Sequence, residues 1–381
     1  MEFLEGLRRP ELARPLVERL SRYQGPPANL MEVCGTHTVS IFRNGLRDLM
    51  PANVRLLSGP GCPVCVTPNG AIDRAIAMAR KPGVTLVTFG DMMKVPGSRE
   101  SLAEAKAVGA DVRIVYGPLE SVRLAQSLPD RTIVFFGVGF ETTVPATAAC
   151  VDEAAKLGLT NYLFYSVHKL VPPAMKALLA ARDVRIDGFI CPGHVSAIIG
   201  TRPYEFIPRD HGIGCAIAGF EAVDILQAIV DLLEMHTTGR AQVMNDYRRV
   251  VREEGNPRAL ELIDRIFETT DSAWRGIGSI PGTGLALRPE WDRFRAETRL
   301  PVKIPPPKEP LGCRCGDVLR GAMSPPECPL FGGRCVPEHP VGPCMVSTEG
   351  SCAAWYHYSP KARKGARTAR PGRSDHEHRA G

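Results

Sequence analysis

The chain contains no stretch of 18 consecutive apolar residues, so nothing in it reads as a membrane-spanning helix. The best candidate, Cys215 to Met235, carries Glu221, Asp224 and Asp231, which at i, i+3 and i+10 mark the wet side of an amphipathic helix. The opening segment, MEFLEGLRRPELARPLVERL, is charged throughout and has no apolar core of the kind a secretory signal needs. A soluble cytoplasmic protein without a membrane partner is therefore expected. A broad basic surface is missing as well. The formal net charge is +6, but Lys361 to Gly381 holds seven Lys/Arg against two acids, so five of the six charges sit in that tail. The body is nearly neutral, which removes the electrostatic signature of nucleic-acid binding. The tail has no apolar periodicity and is expected to be disordered. No G-x-x-x-x-G-K-[ST] loop occurs, so P-loop nucleotide chemistry is not expected.

What the chain does have is cysteine: 12 residues, six of them between Cys313 and Cys352. The spacing is Cys315-x12-Cys328-x6-Cys335-x16-Cys352, with Cys313 and Cys344 inside the same frame. So few large apolar side chains accompany them that the segment cannot build a self-sufficient core, and something else must staple it. Disulfides, zinc and an iron–sulfur cluster are the options. Reduced cytoplasmic thiols argue against the first.

Two further thiol motifs lie upstream. Cys62-Pro63-Val64-Cys65 follows an expected strand and precedes an expected helix. Its thiols can close on each other reversibly or offer two soft ligands to a metal. No second C-x-x-C exists to complete a zinc ribbon, so a redox pair is the preferred reading. Cys34-Gly35-Thr36-His37 follows the apolar run Leu30–Val33. A thiolate and an imidazole three residues apart can share a metal or pair as nucleophile and base. Cys150 and Cys215 read as small buried hydrophobes. Cys191 and His194 in CPGHVS, like His168 and Lys169, divide evenly between loop packing and a cleft-facing role. Glu141 in GVGFETT is expected to cap its own helix rather than receive a proton.

Short β-branched runs alternate with helical segments. Strands are expected at Val54–Leu57, Val84–Phe89, Val112–Tyr116, Thr132–Phe136, Tyr162–Ser166, Gly188–Cys191 and Cys215–Ala218. Helices are expected at Gly70–Arg80, Ser101–Val108, Leu119–Ser127, Thr143–Lys156, Pro172–Ala180 and Phe220–Met235. Such alternation argues for parallel sheets with right-handed crossovers. Nearly every unusual motif sits just after a strand, where open α/β sheets bind ligands. Gly139-Phe140-Glu141 and Gly219-Phe220-Glu221 echo each other weakly, consistent with two similar halves. The proline-rich stretch VKIPPPKEP at 302–310 reads as a stiff linker into the cysteine segment.

The fold expected is α/β: two similar parallel-sheet domains, 30–118 with the CGTHT and GPGCPVC motifs and 119–235 with GFETT and CPGHVS. A smaller helical and Cys-rich domain at 236–358, with 1–29, follows, and a basic tail at 359–381.

The motifs CGTHT at Cys34–Thr38, GPGCPVCVT at Gly59–Thr67, GFETT at Gly139–Thr143, CPGHVS at Cys191–Ser196 and the closing CRCG…ECPLFGGRC…PEHPVGPCMVSTEGSCAA run in order through most of residues 30–358. The chain in these respects resembles the HypD family of [NiFe]-hydrogenase maturation proteins. The resemblance implies a redox-active scaffold on which iron receives two cyanides and one carbon monoxide. It also implies a HypC-type small chaperone as partner and a HypE-type thiocyanate as cyanide donor. It implies Cys34 as the iron ligand, with Cys62 and Cys65 as a thiol pair at the same metal, and a [4Fe–4S] cluster on the C-terminal cysteines. For that cluster Cys328, Cys335 and Cys352 are expected as ligands, with Cys315 as the fourth and Cys313 or Cys344 as its alternatives. Low-spin iron carrying cyanide and CO suits soft thiolates, and releasing cyanide from a thiocyanate is reductive, so a cluster beside a dithiol suits that work. The alternative is a free-standing iron–sulfur/dithiol oxidoreductase acting on protein disulfides, which has no need of the third thiol with its histidine in CGTHT.

Overall fold

A computed structural model describes residues 10–181 and 184–359. The basic tail, apart from Ser359, and the first nine residues lie outside the described residues. Eleven strands occur among the described residues: β1 Ala28–Glu32, β2 Val54–Ser58, β3 Val84–Phe89, β4 Val112–Val115, β5 Thr132–Gly137, β6 Tyr162–Ser166, β7 Gly188–Pro192, β8 Gly214–Ala218, β9 Val243–Asn245, β10 Phe267–Trp274 and β11 Gly278–Leu287. A five-stranded sheet runs β2-β1-β7-β8-β9, a four-stranded sheet runs β4-β3-β5-β6, and β10 and β11 form an antiparallel hairpin. Every pairing in the two larger sheets is parallel. The α/β expectation therefore holds, and β2 to β8 lie where the β-branched runs placed them.

The expected boundary at 118/119 does not follow the sheets. The four-stranded sheet takes the continuous stretch 84–166, whereas the five-stranded sheet takes β1 and β2 and then β7, β8 and β9. Long-range pairing decides this. β1 lies between β2 and β7, pairing with β7 along Leu30↔Gly188 to Glu32↔Ile190. Each strand of that inner group is buried on both faces, as crossover helices require.

Three apolar cores follow from this arrangement. One joins the facing sides of the two sheets through Met31, Leu57, Leu86, Phe136 and Ile217. A second packs the outer face of the five-stranded sheet under the helices Pro10–Ser21 and Ala222–Thr238. The third lies behind the four-stranded sheet, where Phe164 meets Phe267 and Leu285 of the hairpin. The Cys-rich segment has only Phe331, Cys335 and Met345 as a core of its own. Between hairpin and cysteines, residues 301–310 form neither helix nor strand. The linker is strapped down: Asn69 Nδ2 donates to the Lys308 carbonyl at 2.6 Å, and Lys308 N–H donates to Ser98 Oγ at 2.8 Å.

Candidate functional site

The strand ends bring the thiol motifs together. β1 and β2 run side by side in register Glu32↔Ser58, so the CGTHT and GPGCPVC loops leave the sheet at the same level. Cys34 has extended backbone (φ −152°, ψ 122°) and caps the helix Gly35–Arg43. Gly35 N–H donates to the Gly61 carbonyl at 2.9 Å. A side chain at Gly61 would collide with the backbone N and Cα of Cys34, so the two loops touch only because residue 61 has no Cβ. Cys62 begins the short helix Pro63–Val66, and its Sγ accepts the Cys65 N–H at 3.2 Å. Cys62 and Cys65 are joined as a disulfide with Cα atoms 5.2 Å apart. Both are buried.

Around Cys34 the surroundings are unusually polar for a buried thiol. Burial pushes its pKa up to about 12, with the Glu349 and Glu32 carboxylates adding to the rise and the N–H groups of His37 and Thr36 opposing it. Glu32 accepts the Cys34 N–H at 3.0 Å and the Thr38 hydroxyl at 2.5 Å; burial lifts its own pKa to about 7. His37 is fully buried and donates from Nε2 to the Gly219 carbonyl at 2.8 Å, which leaves Nδ1 a bare, unpartnered acceptor. Burial lowers its pKa to about 4, so it is a neutral imidazole. Phe220 separates it from His194, whose exposed ring stacks on Phe220 at 4.0 Å.

Glu349 comes from the Cys-rich segment and accepts the Thr36 hydroxyl at 2.7 Å. That segment lies directly on the motif helices. Trp355 packs on Phe42 at 5.0 Å, with the Arg47 guanidinium over both rings, and helix Pro343–Val346 packs on helix Pro63–Val66. Neither Glu32 nor Glu349 was singled out by the sequence reading. An acid inside the apolar run LMEVC was the available signal for the first; the second is a tertiary contact with no local signature.

All six C-terminal cysteines line one small apolar cavity with Leu330, Phe331 and Met345, and all six are free thiols. Cys315 Sγ and Cys344 Sγ are 3.1 Å apart. The Cys344 thiol, together with the nearby Arg275 guanidinium, holds the Cys315 pKa below its ordinary value against the opposing effect of burial. Val341 N–H donates to Cys335 Sγ at 3.3 Å. Six thiols and an N–H···S bond in an apolar shell suit an iron–sulfur cluster. Among the described residues no three His, Cys, Asp or Glu side chains converge as the ligands of a single ion would. Cys315, Cys328, Cys335 and Cys352 share the cavity equally with Cys313 and Cys344, so the geometry does not select the fourth ligand.

A family model described as "HypD: Hydrogenase formation hypA family" matches residues 11–359. The chain belongs to the HypD family. It is 48% identical to the hydrogenase maturation factor HypD of Azotobacter vinelandii over 94% of this chain and 97% of that one. It is 45% identical to the hydrogenase expression/formation protein HupD of Azotobacter chroococcum mcd 1, over 97% and 100% of the two chains. HypD of Escherichia coli K12 is likewise 45% identical, over 94% and 98%.

Other residues of this HypD family chain fall elsewhere. Cys191 and Cys215 are buried on adjacent strands, each thiol facing the other and far from solvent. Cys150 is buried in helix Val144–Lys156. Glu141 does not cap its own helix. Its Oε1 accepts the N–H of Val171, the first residue of the next helix, at 2.8 Å, and burial lifts its pKa to about 7. The chain reverses at Phe140, so the carboxylate points across to the following crossover. His168 and Lys169 are buried and face a different cavity, lined by the hairpin.

Proposed function

We propose that this chain is a hydrogenase maturation factor working as a redox-active scaffold in the cytoplasm, with iron as its cargo. Cys34 holds the iron while cyanide and CO are added, together with a HypC-type small chaperone, and a HypE-type protein thiocyanate delivers the cyanide. One observation carries this reading: a lone buried thiol, with a neutral histidine and two carboxyls, touches a dithiol loop that the six-cysteine segment covers.

The chemistry balances on the residues present. A thiocyanate R–S–C≡N takes two electrons and a proton to release thiol and cyanide. Cys62 and Cys65, as a dithiol, supply the two electrons by forming their disulfide and release two protons. The closed pair is the product side of that step. Glu32, whose buried carboxyl is poised to take up a proton near neutrality, stands beside Cys34 to accept its proton when iron binds. Cys315, Cys328, Cys335 and Cys352 are the proposed ligands of a [4Fe–4S] cluster, which when bound supplies single electrons at a potential set by its surroundings. The hairpin joins the two sides: Gly276 rests on Gly316, and Arg275 N–H donates to the Val66 carbonyl at 2.9 Å.

The alternative, a free-standing oxidoreductase for protein disulfides, has no use for a third thiol with its histidine. Here the CGTHT loop that carries Cys34 is bonded directly to the dithiol loop, Gly35 N–H to the Gly61 carbonyl, which disfavours it. Anaerobic co-purification with the small chaperone, followed by infrared spectroscopy, tests the scaffold reading. Cyanide and CO stretches are expected in the unaltered protein and absent in Cys34→Ala, with the C-terminal iron and sulfide retained. If Cys34→Ala still carries the diatomic ligands, the dithiol pair holds the iron instead.

A further inference from the structure

A cavity of about 820 Å3 has none of the cysteines in its lining. Its walls are the end of β6, the β10–β11 hairpin, the start of helix Asn69–Ala79 and the linker at Ile304 to Glu309. The size suits a small organic molecule. Phe164, Trp274, Leu285 and Ile304 give it an apolar side.

Most of its charged groups have partners, and the lining carboxylate Asp271 accepts the Gly282 N–H at 3.0 Å on the exposed side of the hairpin. Arg275 pairs with Glu309 at 3.3 Å, Arg295 with Asp292 at 2.6 Å, and Arg74 faces Glu297. Lys169 is left over. It is 2% exposed, its ammonium donates to the Ser272 hydroxyl, and among the described residues no carboxylate lies within ion-pair reach. Next to it, His168 Nε2 is buried with no hydrogen-bond partner. A buried ammonium opposed only by a neutral hydroxyl is costly. An anion entering the cavity offsets that cost, and the unpartnered imidazole nitrogen gives it a second contact.

We propose that this cavity binds a small organic anion, whose carboxylate or phosphate group is taken by the Lys169 ammonium, the Ser272 hydroxyl and His168 Nε2. The apolar wall receives the rest of the molecule. The site is separate from the thiol centre but mechanically joined to it. Ser272 and Trp274 belong to the same strand, and the residue after it, Arg275, is fastened to Val66 beside Cys65. A molecule seated here therefore bears on the hairpin tip that links the C-x-x-C helix to the Cys-rich segment.

The test uses the full chain at pH 7, with inorganic phosphate and acetate as separate probes, followed by phosphorus or carbon NMR line broadening. Saturable binding of at least one probe is expected. Saturation by phosphate alone points to phosphate esters, by acetate alone to carboxylates. Lys169→Met removes a buried charge and keeps the stem, so it should fold and bind at least tenfold more weakly. Lys81→Ala, an exposed lysine on another surface, should bind as the unaltered chain does. Should Lys169→Met fail to fold, Ser272→Ala serves instead, with a loss of at least threefold expected. Absence of saturation by either probe, or unchanged affinity in the folded Lys169 or Ser272 variant, overturns the proposal.

Discussion

The two thiol regions of this molecule are held by opposite means. Cys34, Cys62 and Cys65 sit at the ends of parallel strands, above a core that continues through both sheets. Their positions are set by backbone: a register of β1 on β2, a glycine at 61 and a cap at residue 34. The six C-terminal cysteines sit in a segment whose helices are four, five and eight residues long and whose own apolar core is three residues. Their positions are set by one another and by the surface beneath them. The first region rests on the core of the two sheets, while the second has little core of its own and leans on its thiols and on the surface it covers.

The largest effect should come from attacking the weakly cored side. Cys335→Ala or Cys328→Ala should abolish brown colour and lower soluble yield, while the main melting transition of the two sheets persists. Full iron and sulfide content in both variants would contradict the assignment of these ligands.

An intermediate effect should appear as acid sensitivity of the well-cored two-sheet body that carries the first region, at the loop after β6. His168 has its pKa lowered from 6.5 to about 3 by burial, with Lys169 adding to the fall. Its folded value lies below its unfolded one, so the unfolded chain takes up the extra proton. Its contribution is complete above pH 6.5 and is lost as pH falls toward 3. At pH 5 that loss is about 2 kcal/mol. His168→Gln should therefore show a shallower decline in denaturant midpoint between pH 7.5 and 5. Parallel declines in the two proteins would mean that His168 is not held neutral.

The smallest effect probes the seam between the regions. Glu349→Gln weakens the charge-assisted bond to Thr36 and should cost about 1 kcal/mol. It also removes a negative charge that raises the Cys34 pKa, so alkylation of Cys34 at pH 8.5 should speed up by about threefold. An unchanged alkylation rate would show that the Cys-rich segment does not influence the Cys34 thiol.

The seven strands β2 to β8 were legible because each is a short run of β-branched, aromatic or other apolar residues closed by Gly, Pro, Ser or Cys. β1 was only half legible: Asn29 and Glu32 interrupt its apolar pattern, and Glu32 is polar because it serves the thiol loop. The hairpin was missed because β10 exposes most of its residues, Glu268, Thr269, Thr270 and Asp271 among them, and so lacks an apolar signal. β9 is three residues long and offers no pattern at all. The cysteine motifs stand out by local spacing, which is why Cys34, Cys62, Cys65 and the C-terminal cysteines could be named as candidates from the sequence. Which sheet each loop belongs to could not, since that depends on β1 pairing with β7 rather than on any neighbour. Glu141 shows the same limit: its residue type suggested capping, but the helix it caps is the next one along the chain.

The position of β1 between β2 and the late-made β7 also sets a time order for the protein's life. As the chain leaves the ribosome, the Cys34 thiol appears early and its surroundings appear late. Val33 needs the carbonyl of Ile190, His37 reaches a carbonyl 182 residues away, and Thr36 reaches a carboxylate 313 residues away. Contacts of such separation form slowly and last. The pocket around Cys34 is thus completed only when the final helix has been made and has docked. A chain clipped before Glu349 keeps all three strand-end thiols and still lacks the finished pocket.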